Sequence, residues 1–184
     1  MPMLDVERLT AMFDHFDREV FRLENLDSYN TEHEAEQVRR YLAGEPYRVP
    51  GDMGWNEQMA AQVRAGKKWG KVHVLRDPTS PYFRYACEWA WPTSTQYGQR
   101  IRILDLSARP ASDRLTGTDF WMIDDTVVVM HYDQHQRFVG AHLAGPDESS
   151  RLRRDRATAE QQSVPYEQWW QAHPEHWRSS WLRS

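Results

Sequence analysis

The stretch from Asp119 to Leu143 constrains the fold more than any other part of this chain. Three β-rich runs, DFWMI, TVVVMHY and RFVGAHL, are separated only by Asp124-Asp125 and by the turn DQHQ. Runs rich in β-branched and aromatic residues, joined by turns this short, make a meander of antiparallel strands. Further strand signals lie upstream. Residues 20–24 (VFRLE), 71–76 (KVHVLR) and 100–106 (RIRILDL) alternate with period two, and the aromatic-rich run 82–91 (YFRYACEWAW) is also strand-like.

The remaining segments read as helices and loops. Leu4, Leu9, Met12, Phe13 and Phe16 have amphipathic helical spacing over residues 4–17. Thr31 and Glu34 form a capping-box pair that opens a helix running to Leu42 before Gly44. A third helix spans roughly residues 55–65 and is closed by Gly66, with loops expected at 45–54 and 107–118. Helices first and strands later predict an α+β fold. N-terminal helices pack on a mostly antiparallel sheet with a C-terminal β-meander, followed by short Trp-rich helices. The 184 residues suit a single domain. Within it we expect a core at 1–144, a polar mobile linker at 145–162 and a Trp-rich helical tail at 163–184. Pro165 opens that tail and Pro174 splits it.

Composition raises one question for this reading. Hydrophobic residues are 40% of the chain and mean hydropathy is -0.84, both low for a folded protein. Nine Trp, eight Tyr and six Phe answer it, because each aromatic buries a large area. A lone cysteine, Cys87, suits a reducing compartment. With no signal-peptide pattern at Met1–Asp5 and no apolar run long enough to span a bilayer, the expected location is the cytoplasm, away from membranes. Net charge is -4, with 13 acids and 6 bases in residues 1–62 and 14 acids and 17 bases thereafter. Neither half has the basic surplus of a nucleic-acid binder. The basic clusters Arg151, Arg153, Arg154, Arg156 and Lys67, Lys68, Lys71 read as solvated faces.

Three segments together resemble an uncharacterised, mainly actinobacterial domain family of unknown function, often encoded near helix-turn-helix regulators. They are FRLENLDSY at 21–29 with YLAGEP at 41–46, the stretch Val72 to Tyr85 with DPTSPYFRY, and DFWMIDD at 119–125 through MHYD to RFVGAHL. The resemblance covers roughly residues 13–144 and implies a fold and a compartment rather than an activity. At Gln136 a Gly is more typical of the family.

Several constellations carry candidate chemistry. His131, Asp133 and His135 alternate as H-x-D-x-H, which on an extended strand would set three metal-capable side chains on one face. Against this, Asp133 enters a hairpin turn, where Asp bonds the backbone, and His135 lies within the turn. His173 and His176 share spacing but lack further ligands, and Asp124-Asp125 reads as a turn. Cys87 is a small buried hydrophobe, since nothing local lowers a thiol pKa. Arg22 with Glu24, and Arg84 with Glu88, are acid–base pairs at strand spacing. Such pairs either anchor an anionic ligand or form internal salt bridges that fix register. Trp170, Trp177 and Trp181 give the tail an aromatic surface that would either dock onto the domain or meet a protein partner or a second copy.

Phosphate-binding loops, nucleophile elbows, H-E-x-x-H helices and clustered Cys ligands are absent. The sequence therefore reads first as a non-catalytic binding or regulatory module, acting with a bacterial transcriptional or signalling partner or a small ligand, with no cofactor required. Two alternatives stand beside it. One is a small metal-dependent oxygenase or hydrolase holding a divalent cation on His131, Asp133 and His135. The other is a metal-free enzyme that binds an anionic substrate through Arg22 or Arg84.

Overall fold

The structure, a computed structural model, describes residues 3–49, 53–107 and 115–181. The meander forms where the alternation puts it: β4 (Phe120–Ile123), β5 (Thr126–Tyr132) and β6 (Phe138–Leu143) pair antiparallel in sequence order. β4 also pairs antiparallel with β1 (Glu19–Glu24), which runs parallel to β2 (Lys68–Leu75), itself parallel to β3 (Arg100–Asp105). The short β7 (Val164–Pro165) closes the far edge against β3. Among the described residues the sheet has seven strands in the order β6-β5-β4-β1-β2-β3-β7. The α+β class and the mostly antiparallel sheet hold, with a parallel trio set inside it.

Three helices match the spacing of their apolar residues and caps: α1 (Val6–His15), α2 (Glu32–Leu42) and α3 (Gly54–Arg64). At the head of α2, the Thr31 hydroxyl accepts from the Glu34 amide at 3.1 Å, as a capping box requires.

Two segments differ from expectation. The run 82–91 is helical, not extended: α4 (Pro81–Tyr85) passes through a π-helical turn, Ala86–Ala90, into α5 (Trp91–Gln96). Ser80 caps it and Pro81 fills its first turn, where a missing N–H costs nothing. Tyr82, Phe83, Tyr85, Cys87, Trp89 and Trp91 are all buried in one cluster. With only Arg84 and Glu88 as a narrow polar stripe, the helix shows little amphipathic period, so its sequence mimics a strand. With no strand between them, β2 and β3 become parallel neighbours.

The polar stretch expected as a linker is α6 (Pro146–Gln162), with Pro146 in its first turn and Asp147 and Glu148 complementing its dipole. Its buried residues are Leu152, Asp155 and Ala159, a stripe too narrow to show in composition. Of the loop expected at 107–118, residues 108–114 lie outside the described residues. Thr116 beyond them is tied to Asp155, through its amide at 2.9 Å and its hydroxyl at 2.5 Å.

α6 covers one face of the sheet, where Leu152 and Ala159 pack on Phe21, Leu23, Val72, Val74, Phe120 and Val129. The other face carries two apolar clusters. One gathers Phe13, Phe16 and Met59 over Val20, Trp69, Trp121 and Val128. The second gathers Tyr41, Phe83, Trp91 and Trp169 over Ile101 and Ile103. Trp169 belongs to α7 (Tyr166–Ala172), which leads through a single 3-10 turn into α8 (Arg178–Trp181). Arg178 ties α8 back onto the domain: its amide donates to Glu88 at 2.6 Å, and its guanidinium lies 4.9 Å from the Tyr41 ring centre.

Candidate functional site

Between those two apolar clusters the same face of the sheet turns polar. Alternation puts Arg22 and Glu24 of β1 on this face, and the parallel register sets Lys71 beside Arg22 and His73 beside Glu24. β4 adds Trp121 opposite Arg22, and Asp119 precedes that strand. The charged side chains are nearly dry, with exposures of 16% for Arg22, 4% for Glu24, 4% for Asp119 and 11% for Lys71.

Glu24 is the hub. Its carboxylate receives Lys71 Nζ at 3.2 Å, Arg22 Nε lies 3.6 Å away, and His73 Nδ1 is at 3.3 Å. Burial pushes the Glu24 carboxyl up, but Lys71, then Arg22 and the His73 contact outweigh it and hold the group well below the usual carboxylate range. Arg22 in turn donates Nη2 to the Tyr132 hydroxyl at 2.9 Å and reaches Asp119 at 3.4 Å. Its guanidinium is stacked 4.6 Å from the Tyr29 ring centre and 4.9 Å from that of Trp121. Burial alone would lower the Arg22 pKa, and Asp119 and Glu24 drive it well up instead. Asp119 also accepts from the Asn25 amide at 3.0 Å and from the Tyr29 hydroxyl. Even so, burial raises its pKa against the pull of Arg22. Burial does the same to Glu34, which accepts from the Tyr82 hydroxyl at 3.1 Å. Within this group, Arg22 Nε makes no hydrogen bond among the described residues beyond its 3.6 Å approach to Glu24, and His73 Nε2 makes none.

These groups face a cavity of about 310 Å³. Arg22, Glu24, Glu34, Lys71, Tyr29, Tyr82 and Tyr132 line it, with the neutral side chains of Asn30, Thr31, Gln99 and Gln136. Trp55 and Phe138, exposed by 46% and 40%, also belong to its wall.

A family model described as a domain of unknown function (DUF6879) matches residues 7–171. The chain belongs to the DUF6879 family. The match runs past the meander through α6 and most of α7, further than the residues 13–144 that carry the resemblance in sequence. No curated protein matches the chain.

Of the residues singled out by sequence, the DUF6879 domain brings Arg22 and Glu24 together at this cavity and places Arg84 and Glu88 elsewhere. The latter two stand on α4 and its π-helical turn, where Glu88 receives the Arg178 amide. His131, Asp133 and His135 do not converge. His131 meets His142, 2.7 Å between Nε2 and Nδ1, and His142 reaches Glu148 at 3.0 Å. Asp133 accepts the amides of His135 and Arg137 at 2.8 and 3.0 Å, which closes the hairpin turn around His135. Among the described residues no group of three His, Cys, Asp or Glu is placed to hold a metal ion. In the tail, Trp170 is half-buried beside Phe83, and Trp177 donates Nε1 to the Trp170 carbonyl at 2.8 Å. The side chain of Trp181 lies outside the described residues.

Lys71, Asp119, Tyr29, Tyr132 and Glu34 were missed as site residues. A signal existed for Lys71. It stands in an alternating strand whose inward face also carries His73, and a cation at an inward position calls for a partner. Asp119 held a weaker one, at the head of the most specific recognisable segment. The tyrosines offered none, since core and site tyrosines look alike in sequence.

Proposed function

We propose that this DUF6879 domain is a non-catalytic small-ligand-binding module, and that its ligand is a polar molecule seated among Arg22, Glu24 and Lys71. The observation that carries this reading is a dry charge cluster placed between two apolar clusters and open to a cavity. Apolar residues of similar volume would fold at least as well there, because burying ions costs several kcal/mol each before their attraction offsets it. The tyrosine hydroxyls and Arg22 Nε, which makes no hydrogen bond among the described residues, supply directional contacts, and the aromatic wall supplies contact area. The lone Cys87, buried and with its thiol pKa pushed up by that burial, favours a structural thiol in a reducing cytoplasm. A transcriptional or signalling partner engaged by the tail has less support, because Trp170 packs against the domain's own core beside Phe83 and Trp177 bonds the Trp170 carbonyl.

One observation favours a second reading, a metal-free enzyme. Glu34 lines the cavity with a raised pKa, and Asp119, also raised, is bonded to the lining Tyr29 behind it, a setting suited to proton transfer.

The test is a ligand-observed NMR screen of small polar compounds against the wild type and Met130→Trp, which fills the cavity. Compounds that bind the wild type and fail with the variant are expected. Binding indifferent to the filled cavity, or none at all, would remove the proposal. Chemical conversion of a bound compound would favour the enzyme.

A further inference from the structure

Gly70 stands inside β2, paired with Phe21 of β1 on one side and Arg100 of β3 on the other. A glycine there weakens the strand, because it has no side chain to pack and loses more chain entropy on folding. The backbone does not require it. Gly70 is not among the residues of positive φ, and a Cβ built on it would meet only the Arg100 carbonyl oxygen, at 3.8 Å. Its effect is to leave open the floor of a second cavity of about 540 Å³. That space lies on the α6 face, across the sheet from the Arg22 cavity.

The walls are cationic. Arg102 is anchored by Ser163, donating Nε to Oγ at 2.8 Å and Nη2 to the carbonyl, with no carboxylate on it among the described residues. Lys68 and Arg100 line the same space and likewise carry no ion pair among the described residues. Arg156 is spoken for: it holds Glu19 at 2.8 Å and Glu160 at 3.3 Å and rests 4.5 Å above the Phe21 ring. Lys71 also reaches this cavity, but its ammonium is paired with Glu24. Counting Glu167 with Glu19 and Glu160, and leaving out the Lys71–Glu24 pair, the cavity keeps a surplus of one positive charge. Among the described residues, the cations with no carboxylate at contact distance are Arg100, Arg102 and Lys68, the last beside Glu19 in the strand register.

From the bare strand floor and these three cations, we infer that the cavity over Gly70 is a binding site for a small phosphate monoester. Three separate cationic donors match three terminal phosphate oxygens better than the two of a carboxylate, and arginine forks suit that geometry. A ligand seated against β2 also accounts for the glycine, since a side chain at position 70 would occupy its space.

Thermal unfolding of the full chain tests this, with glycerol 3-phosphate, succinate and sodium chloride compared at matched ionic strength. Glycerol 3-phosphate should raise the Tm of the wild type saturably, above either control. Arg102→Met should weaken its apparent affinity about tenfold, the loss of one charge-assisted contact. Gly70→Val should abolish the shift while leaving the ligand-free Tm unchanged or higher, because valine is a better strand former. The inference fails if glycerol 3-phosphate does no more than sodium chloride, or if succinate matches it. It fails equally if Gly70→Val lowers the ligand-free Tm, since the glycine would then serve packing.

Discussion

Glu24 and Glu34 line one cavity and respond to it in opposite directions. Glu24 is ringed by Lys71, Arg22 and His73, which favour its ionised form over burial. Its stabilising contribution is therefore present above the unfolded value of 4.5 and is lost as pH falls below it. Glu34 is half-buried without a cation at contact distance among the described residues, and desolvation raises its pKa above 4.5. Here the folded state binds the proton more tightly than the unfolded state. Its contribution is full below the unfolded value and is lost as pH rises through the folded one. Glu34→Gln keeps one acceptor oxygen for Tyr82, leaves an NH2 that can donate to the Thr31 hydroxyl, and removes the titration. We expect the variant to match the wild type near about pH 4 and to gain on it as pH rises toward about 7. Urea midpoints across that range check this, and parallel profiles would show that burial at Glu34 has no energetic consequence.

The aromatic helix from Pro81 to Gln96 shows, at the scale of elements, what decides between periods. Its apolar residues satisfy an alternating template as well as a helical one, because core surrounds it on several sides: Tyr41 from α2, Trp169 from α7 and Ile103 from the sheet. Only the cap distinguishes the two, and Ser80-Pro81 is that cap. The Ser80 hydroxyl accepts from the Phe83 amide at 3.5 Å and donates to the Asp27 carbonyl at 3.1 Å. Ser80→Ala should therefore cost about 1 kcal/mol in urea unfolding, as cap removals do. No loss would mean that packing alone holds the helix. The meander was legible because its turns are short and its strands β-branched. α6 was not, because burial of just Leu152, Asp155 and Ala159 leaves its other positions free to be polar. Arg22 and Glu24 could be read as a pair from alternation, whereas their neighbours are Lys71 of β2 and Asp119 just before β4, brought in by a strand order that the sequence does not encode locally. Gln136 illustrates the same limit at a turn. Its φ of 62° is one that glycine adopts more readily, and the residue also helps wall the cavity.

At the scale of the whole molecule, the sheet needs a cover on each side, and the residues after Ala144 supply a large part of both. α6 buries Leu152 and Ala159 on one face, and α7 buries Tyr166 and Trp169 on the other. The larger ones, Leu152, Tyr166 and Trp169, are each worth roughly 1.5–3 kcal/mol when removed from water, and a domain's net stability is only about 5–15 kcal/mol. A chain ending at residue 144 would therefore lose much of its margin at once, while uncovering Phe21, Val72 and Phe120 of the sheet. A chain ending at residue 172 keeps both covers and gives up the Arg178 contacts to Glu88, Tyr41 and the Glu45 carbonyl. The shorter chain should show no cooperative thermal transition by circular dichroism and should aggregate on gel filtration. The longer one should unfold cooperatively at a lower midpoint than the full chain. A cooperative transition from the chain ending at 144 would make the helices after the meander an appendage. Such a result would also detach the Gly70 cavity from the fold's stability, since Arg156 and Ser163 form its far wall and its anchor.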